Sequence, residues 1–147
     1  MRRRILPALL TLALGGTLAT EAAAQASYQQ QIRTALRTAA ERVRGGRLEG
    51  EPLMGVLNGG RNDAKLVDLR AGVRYIIFGV CDENCSDLDL RIFGPGTTGK
   101  VAEDVQQNNV PALEFTAPVA GRYRLAVEMV TCSANPCAWG AQALVAP

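Results

Sequence analysis

Between Ala71 and Pro95 the sequence reads AGVRYIIFGVCDENCSDLDLRIFGP, two apolar-rich runs either side of a tight acidic loop that has a cysteine at each end. In the second run Leu88, Leu90 and Ile92 fall on one face and Asp87, Asp89 and Arg91 on the other. That is the period-two pattern of a strand with one face buried. Two such runs joined by so short a loop point to antiparallel β structure. A cysteine pair bracketing the loop points to an oxidising compartment.

The pattern continues along the chain. Strands are predicted at Lys65–Leu69, Val73–Val80, Leu88–Phe93, Lys100–Ala102, Ala112–Phe115, Tyr123–Val130 and Ala138–Val145, with a short first strand within Leu53–Leu57. Turn formers fill the gaps: Ala71-Gly72, Gly94-Pro95-Gly96, Asn108-Asn109 and Ala120-Gly121. Residues 45–64 read as a Gly-rich loop region. Short strands at this spacing suggest a sandwich rather than βαβ units. There is one internal echo: LRAGVRYII at 69–77 and PVAGRYRL at 118–125 each place an Ala-Gly turn just before a Tyr-bearing strand. Each strand then runs into a cysteine loop, CDENC or CSANPC, which suggests two hairpins with both loops at one end of the fold.

Ahead of the β region, residues 27–44 are predicted as a helix. Ser27 is placed to cap it, and Ile32, Leu36, Ala39, Ala40 and Val43 form an apolar stripe. Arg42 and Arg44 suit the negative end of the helix dipole, and Gly45-Gly46 stops the helix. The stripe reads as a helix packed on the β region, with a partner-binding or membrane-surface helix as the rival.

The first 24 residues read as a secretory signal. Arg2, Arg3 and Arg4 precede an apolar run from Ile5 to Leu14, and Ala22-Ala23-Ala24 offers a small-residue cleavage site. The apolar run is too short for a membrane span, which needs roughly 20 residues, so no transmembrane segment is expected in the mature chain. Of the 16 basic and 14 acidic residues, three and one leave with the signal. The remaining 13 of each cancel, so no global field favours nucleic acid. The organisation expected is residues 1–24 signal, 25–46 helix and 47–147 β domain, with a periplasmic or secreted location.

The four cysteines are Cys81, Cys85, Cys132 and Cys137. They allow three pairings, of which the short separations favour Cys81–Cys85 and Cys132–Cys137. Their spacings also fall in the loose range for structural zinc; export favours disulfides.

The residues best suited to chemistry are Asp82, Glu83, Asn84, Asp87 and Asp89, five oxygen-bearing side chains within eight positions. Asp104 could approach from a neighbouring loop. Calcium takes six to eight such oxygens, so this cluster is a candidate calcium site, although its spacing is not that of an EF-hand. Asp and Asn are also ordinary turn residues. A hydrolase is a weaker reading. Asp87 and Asp89 are spaced for paired carboxylates but lie along a strand face, and the serines have no histidine to activate them, because the chain contains none. Trp139 is the one aromatic that is a candidate binding platform; packing against the neighbouring disulfide is its alternative. No catalytic residue is assigned.

The order of motifs also resembles a known family. An "aG-x-Y" strand is followed by an acidic loop, a DLDL strand, a Gly-Pro-Gly turn, Asp104, PALEFTAP at 111–118 and a second Gly-Tyr strand. This resembles the bacterial pre-peptidase C-terminal domain, through Ala71–Tyr75, Asp87–Leu90, Ala112–Pro118 and Ala120–Val127, over roughly residues 53–145. The resemblance implies a jelly-roll-like β-sandwich of about seven to eight strands. It also implies a non-catalytic accessory role, and some relatives bind calcium or extracellular polymers. The resulting expectation is a binding module for an envelope or extracellular protein or polymer, with a calcium-dependent adhesion or stabilising module as the alternative. Where members of that family carry a peptidase, this sequence has only a helix ahead of the sandwich.

Overall fold

The computed structural model describes residues 18–147. Residues 1–17 of the expected signal lie outside the described residues, and Leu18–Ala24 form the first turns of a helix. This helix, α1 (Leu18–Glu41), precedes eight strands: β1 (Arg47–Leu57), β2 (Arg61–Leu69), β3 (Arg74–Cys81), β4 (Cys85–Phe93), β5 (Lys100–Asp104), β6 (Ala112–Thr116), β7 (Gly121–Cys132) and β8 (Cys137–Val145). They form two four-stranded antiparallel sheets. Sheet A has the order β1-β8-β3-β6 and sheet B the order β2-β7-β4-β5. That is a jelly roll of eight strands.

Every strand expected from the sequence is present, and the largest differences are at α1, β1 and β2, each of which starts earlier in the chain than expected. Ser27 does not cap α1: the Ala-rich stretch before it has high helix propensity and continues the helix N-terminally. α1 ends at Glu41, before Arg42 and Arg44, and Gly45 takes φ +78° in the turn that follows. Most of the presumed Gly-rich loop is β1 and the start of β2. Gly55 lies in β1 because Trp139 crosses it from β8: a Cβ there would stand 2.9 Å from the indole Nε1.

The core between the sheets is made by alternate residues of both. Leu88, Leu90 and Ile92 of β4 meet Ile77, Trp139 and Ala141 of sheet A. Phe115 lies between Tyr75 and Tyr123, with ring centroids 6.3 and 6.0 Å away. The sequence echo has a physical counterpart here. Tyr75 Oη accepts from Arg70 N (3.1 Å), and Tyr123 Oη donates to Val119 O (2.7 Å). Each tyrosine thus ties its strand back to the turn before it, as in a tyrosine corner.

A second apolar layer lies outside sheet A. Ile32, Leu36, Ala39 and Ala40 of α1 pack on Phe78, Val80, Ala138 and Leu144. Gly140 makes the approach possible, since a Cβ there would run into Ile32 Cγ2. The central strands of sheet A, β3 and β8, are therefore buried on both faces, whereas among the described residues no helix covers the outer face of sheet B. Among the described residues no helix is long and apolar enough to cross a membrane.

Candidate functional site

Both disulfides join one sheet to the other at the same end of the sandwich. Cys81 closes β3 in sheet A and bonds Cys85, which opens β4 in sheet B. Cys132 closes β7 in sheet B and bonds Cys137, which opens β8 in sheet A. The cysteine loops share one end, as expected. They are not hairpins, because consecutive strands at each loop belong to opposite sheets. Cys85 and Cys132 face each other across β4 and β7.

Asp82 binds these loops together. Its Oδ2 accepts from Ala138 N (2.6 Å) and its Oδ1 from Asn84 N (3.1 Å). Asn84 O accepts from both the N and the Oγ of Ser133, at 2.8 and 3.0 Å. Asp82 and Asn84 are thus engaged in loop structure, while Glu83 is exposed at the tip. Asp104 has a similar task elsewhere: its carboxylate accepts from Gln106 N (3.1 Å) and Ala112 N (2.8 Å), shaping the turn between β5 and β6.

Asp87 and Asp89 lie instead on the outer face of sheet B, as the alternation of β4 predicts. Neither is solvent-exposed, at 9% and 7% of full accessibility. The 105–110 loop runs alongside, with Asn108 O accepting from Leu88 N at 2.9 Å. The six residues proposed for calcium are therefore divided among a loop clamp, an exposed tip, a turn and a strand face. Among the described residues no three His, Cys, Asp or Glu side chains converge on a point that could hold a metal ion.

At the centre of that strand face is Arg91. Its guanidinium meets carboxylates from three strands: Glu128 of β7 at 2.7 Å, Asp89 of β4 at 3.0 Å and Glu103 of β5 at 3.4 Å. Burial works against the Arg91 charge, but Glu128, Asp89 and Glu103 outweigh it and hold its pKa above the ordinary value. Burial raises the pKa of Asp89, Asp87 and Glu128 add to that, and Arg91 opposes it. Glu103 is held below the usual carboxylate range, first by Lys100 and then by Arg91. Beside this lattice the Arg124 guanidinium lies 3.9 Å above the Phe93 ring. Asp87 Oδ1 is buried and has no hydrogen-bond partner among the described residues.

The lattice residues Arg91, Glu103, Glu128, Arg124 and Phe93 were not singled out from the sequence as site residues. Alternation places Arg91 beside the aspartates, but only the pairing of β4 with β5 and β7 brings Glu103 and Glu128 to it. Trp139 is not a platform. It lies on the inner face of β8, wholly buried in the core, and its Nε1 has no hydrogen-bond partner among the described residues. No family model matches the chain, and no curated protein sequence matches it significantly.

Proposed function

We propose that this chain is a non-catalytic, exported accessory module of the pre-peptidase C-terminal type, acting in the bacterial envelope or outside the cell. It would engage an envelope protein or polymer through the outer face of sheet B. The carrying observation is the asymmetry of the sandwich. One outer face is covered by α1, while the other presents a flat lattice of Arg91, three carboxylates and a stacked Arg124–Phe93 pair. An extended polar sheet surface suits a partner of similar extent. Asp89, Glu103 and Glu128 are engaged with Arg91, and Asp82 and Asp104 with backbone N–H donors, which favours recognition over hydrolysis. The two cross-sheet disulfides support export, since such bonds persist in oxidising compartments.

A photo-crosslinking residue at Ala126, central on the open face, should capture a partner in cells; the same residue at Thr38, exposed on α1, should not. Crosslinks from Thr38 alone would overturn the reading.

A calcium-dependent form of this reading rests on Asp87, whose Oδ1 lacks a partner among the described residues and which neighbours Asp89 on the same strand face. A saturable rise in Tm with calcium, abolished in Asp87→Ala, would support it. An unchanged Tm at millimolar calcium would leave the lattice to act without metal.

A further inference from the structure

The charges that cancel over residues 25–147 are not mixed evenly in space. The cysteine loops mark one end of the sandwich, where Asp82, Glu83 and Asp87 stand against Arg61. The opposite end is basic. β1 and β3 begin there with Arg47 and Arg74, which pair with Val145 and Thr116. The β2–β3 turn brings Arg70 to the same end, and the start of β7 brings Arg122, since Leu69 pairs with Gly121. The chain leaving α1 also arrives there, with Gly45 close to Pro147, so Arg42 and Arg44 join the set.

Arg70, Arg74 and Arg122 have carboxylate partners in Glu49, Glu114 and Asp68. Arg42, Arg44 and Arg47 are exposed, and among the described residues none of them forms an ion pair. They are not needed to finish the helix. The backbone N–H groups of Arg42, Val43 and Gly46 already bond the carbonyls of Ala39, Ala40 and Val43, and no basic residue lies in the last turn of α1. Residues 41–47 thus carry three unpaired guanidiniums against one carboxylate, Glu41. Charge that served only solubility would be interspersed with its opposite, whereas these three lie together on the end that Arg70, Arg74 and Arg122 share.

We propose that this end docks on the anionic surface of a lipid bilayer, with Arg42, Arg44 and Arg47 meeting head-group phosphates. A guanidinium matches a phosphate with two parallel N–H donors, and an uneven charge distribution steers a molecule to such a surface even without net charge. The basic groups are spread over the ends of both sheets. That arrangement suits a plane of anionic head groups better than a single polyanionic strand, which follows a groove. Val119, 52% exposed in the β6–β7 turn at the same end, offers an apolar contact with that plane. Docked end-on, the molecule turns its acidic end away and leaves the outer face of sheet B open, so this inference and the sheet B reading fail separately.

The test is co-sedimentation of residues 25–147, which keep every residue of both apolar layers, with vesicles of mixed phosphatidylglycerol and phosphatidylcholine or of phosphatidylcholine alone. Binding should require the anionic lipid and vanish at about 1 M salt, where charges are screened within about 3 Å. The variant Arg42→Gln/Arg44→Gln/Arg47→Gln should bind on the order of 100-fold more weakly with its Tm unchanged. The same three positions changed to Lys should bind like wild type, and so should Glu83→Gln at the far end. Equal binding to both kinds of vesicle, equal binding by the Gln variant and wild type, or no binding to the anionic vesicles at low salt would overturn the proposal. Tighter binding to soluble polyphosphate than to the vesicles would also overturn it, because the partner would then be a polymer.

Discussion

β7 and β8 are consecutive strands joined across one disulfide, yet they meet solvent in opposite ways. Along β7 burial alternates: Tyr123, Leu125, Val127 and Met129 are buried, while Arg124, Ala126 and Glu128 are half-exposed. Along β8 every residue from Cys137 to Leu144 is buried. The cause is α1, which packs on the outer face of sheet A and has no counterpart on sheet B among the described residues. The helix turns the centre of one sheet into an interior layer and leaves the outer face of the other without a helix among the described residues. Small residues on β8 follow from this, since Ala138, Gly140 and Ala141 leave room for the helix on one side and the core on the other.

The strongest way to break the comparison is to cut into the covered face. Leu36→Ala should cost about 3 kcal/mol by denaturant unfolding, since it removes a buried side chain from a packed layer. Leu66→Ala, at a position 58% exposed on the outer face of sheet B, should stay within about 0.5 kcal/mol of wild type. Equal costs would mean that α1 does not cover sheet A in solution.

Next in size is Gly140→Ala. The added methyl would meet Ile32 Cγ2, and overpacking of this kind costs about 2 kcal/mol. Ala126→Val on the open face of β7 should be nearly neutral by the same measurement.

The smallest effect is a pH dependence. Burial raises the pKa of Asp89 above its ordinary 3.8, so the folded state holds this proton more tightly than the unfolded chain. Ionising Asp89 therefore costs stability as the pH rises through the raised pKa. Relative to wild type, Asp89→Asn should gain stability as the pH rises from below the ordinary 3.8 through the raised value and then level off. Asp63, held low first by its hydrogen bond with Lys65, and Glu103, held low first by Lys100, act in the opposite sense. Their contribution is present above the usual carboxylate range and is lost as pH falls, so the Asn variant isolates the effect of Asp89. A flat difference between variant and wild type across that range would remove Asp89 from the lattice.

How much was legible in the sequence follows the same division. β4 and β7 were readable because one face of each is wet, and their alternation also placed Asp87, Asp89 and Arg91 on one side. β1 was largely hidden, because Gly50 and Pro52 mark a bulge and Gly55 makes room for Trp139, all of which look like loop chemistry locally. The start of β2 was hidden by Asp63 and Lys65, which face inward on an edge strand and pair with each other at 2.8 Å, so the apolar period is broken there. The disulfide pairing followed from short separations. That both bonds cross between sheets did not, because it depends on the order of strands in space. The acidic cluster was readable as composition only. Asp82 and Asp104 look like calcium ligands in one dimension and act as backbone acceptors in three.

The most direct test of the central asymmetry is side-chain NMR of the protein with a soluble paramagnetic relaxation agent. The Leu66 and Val130 methyls should be strongly broadened, and those of Ile32, Leu36 and Leu144 should be protected. Broadening of Leu144 equal to that of Leu66 would contradict the account, because sheet A would then be as open as sheet B.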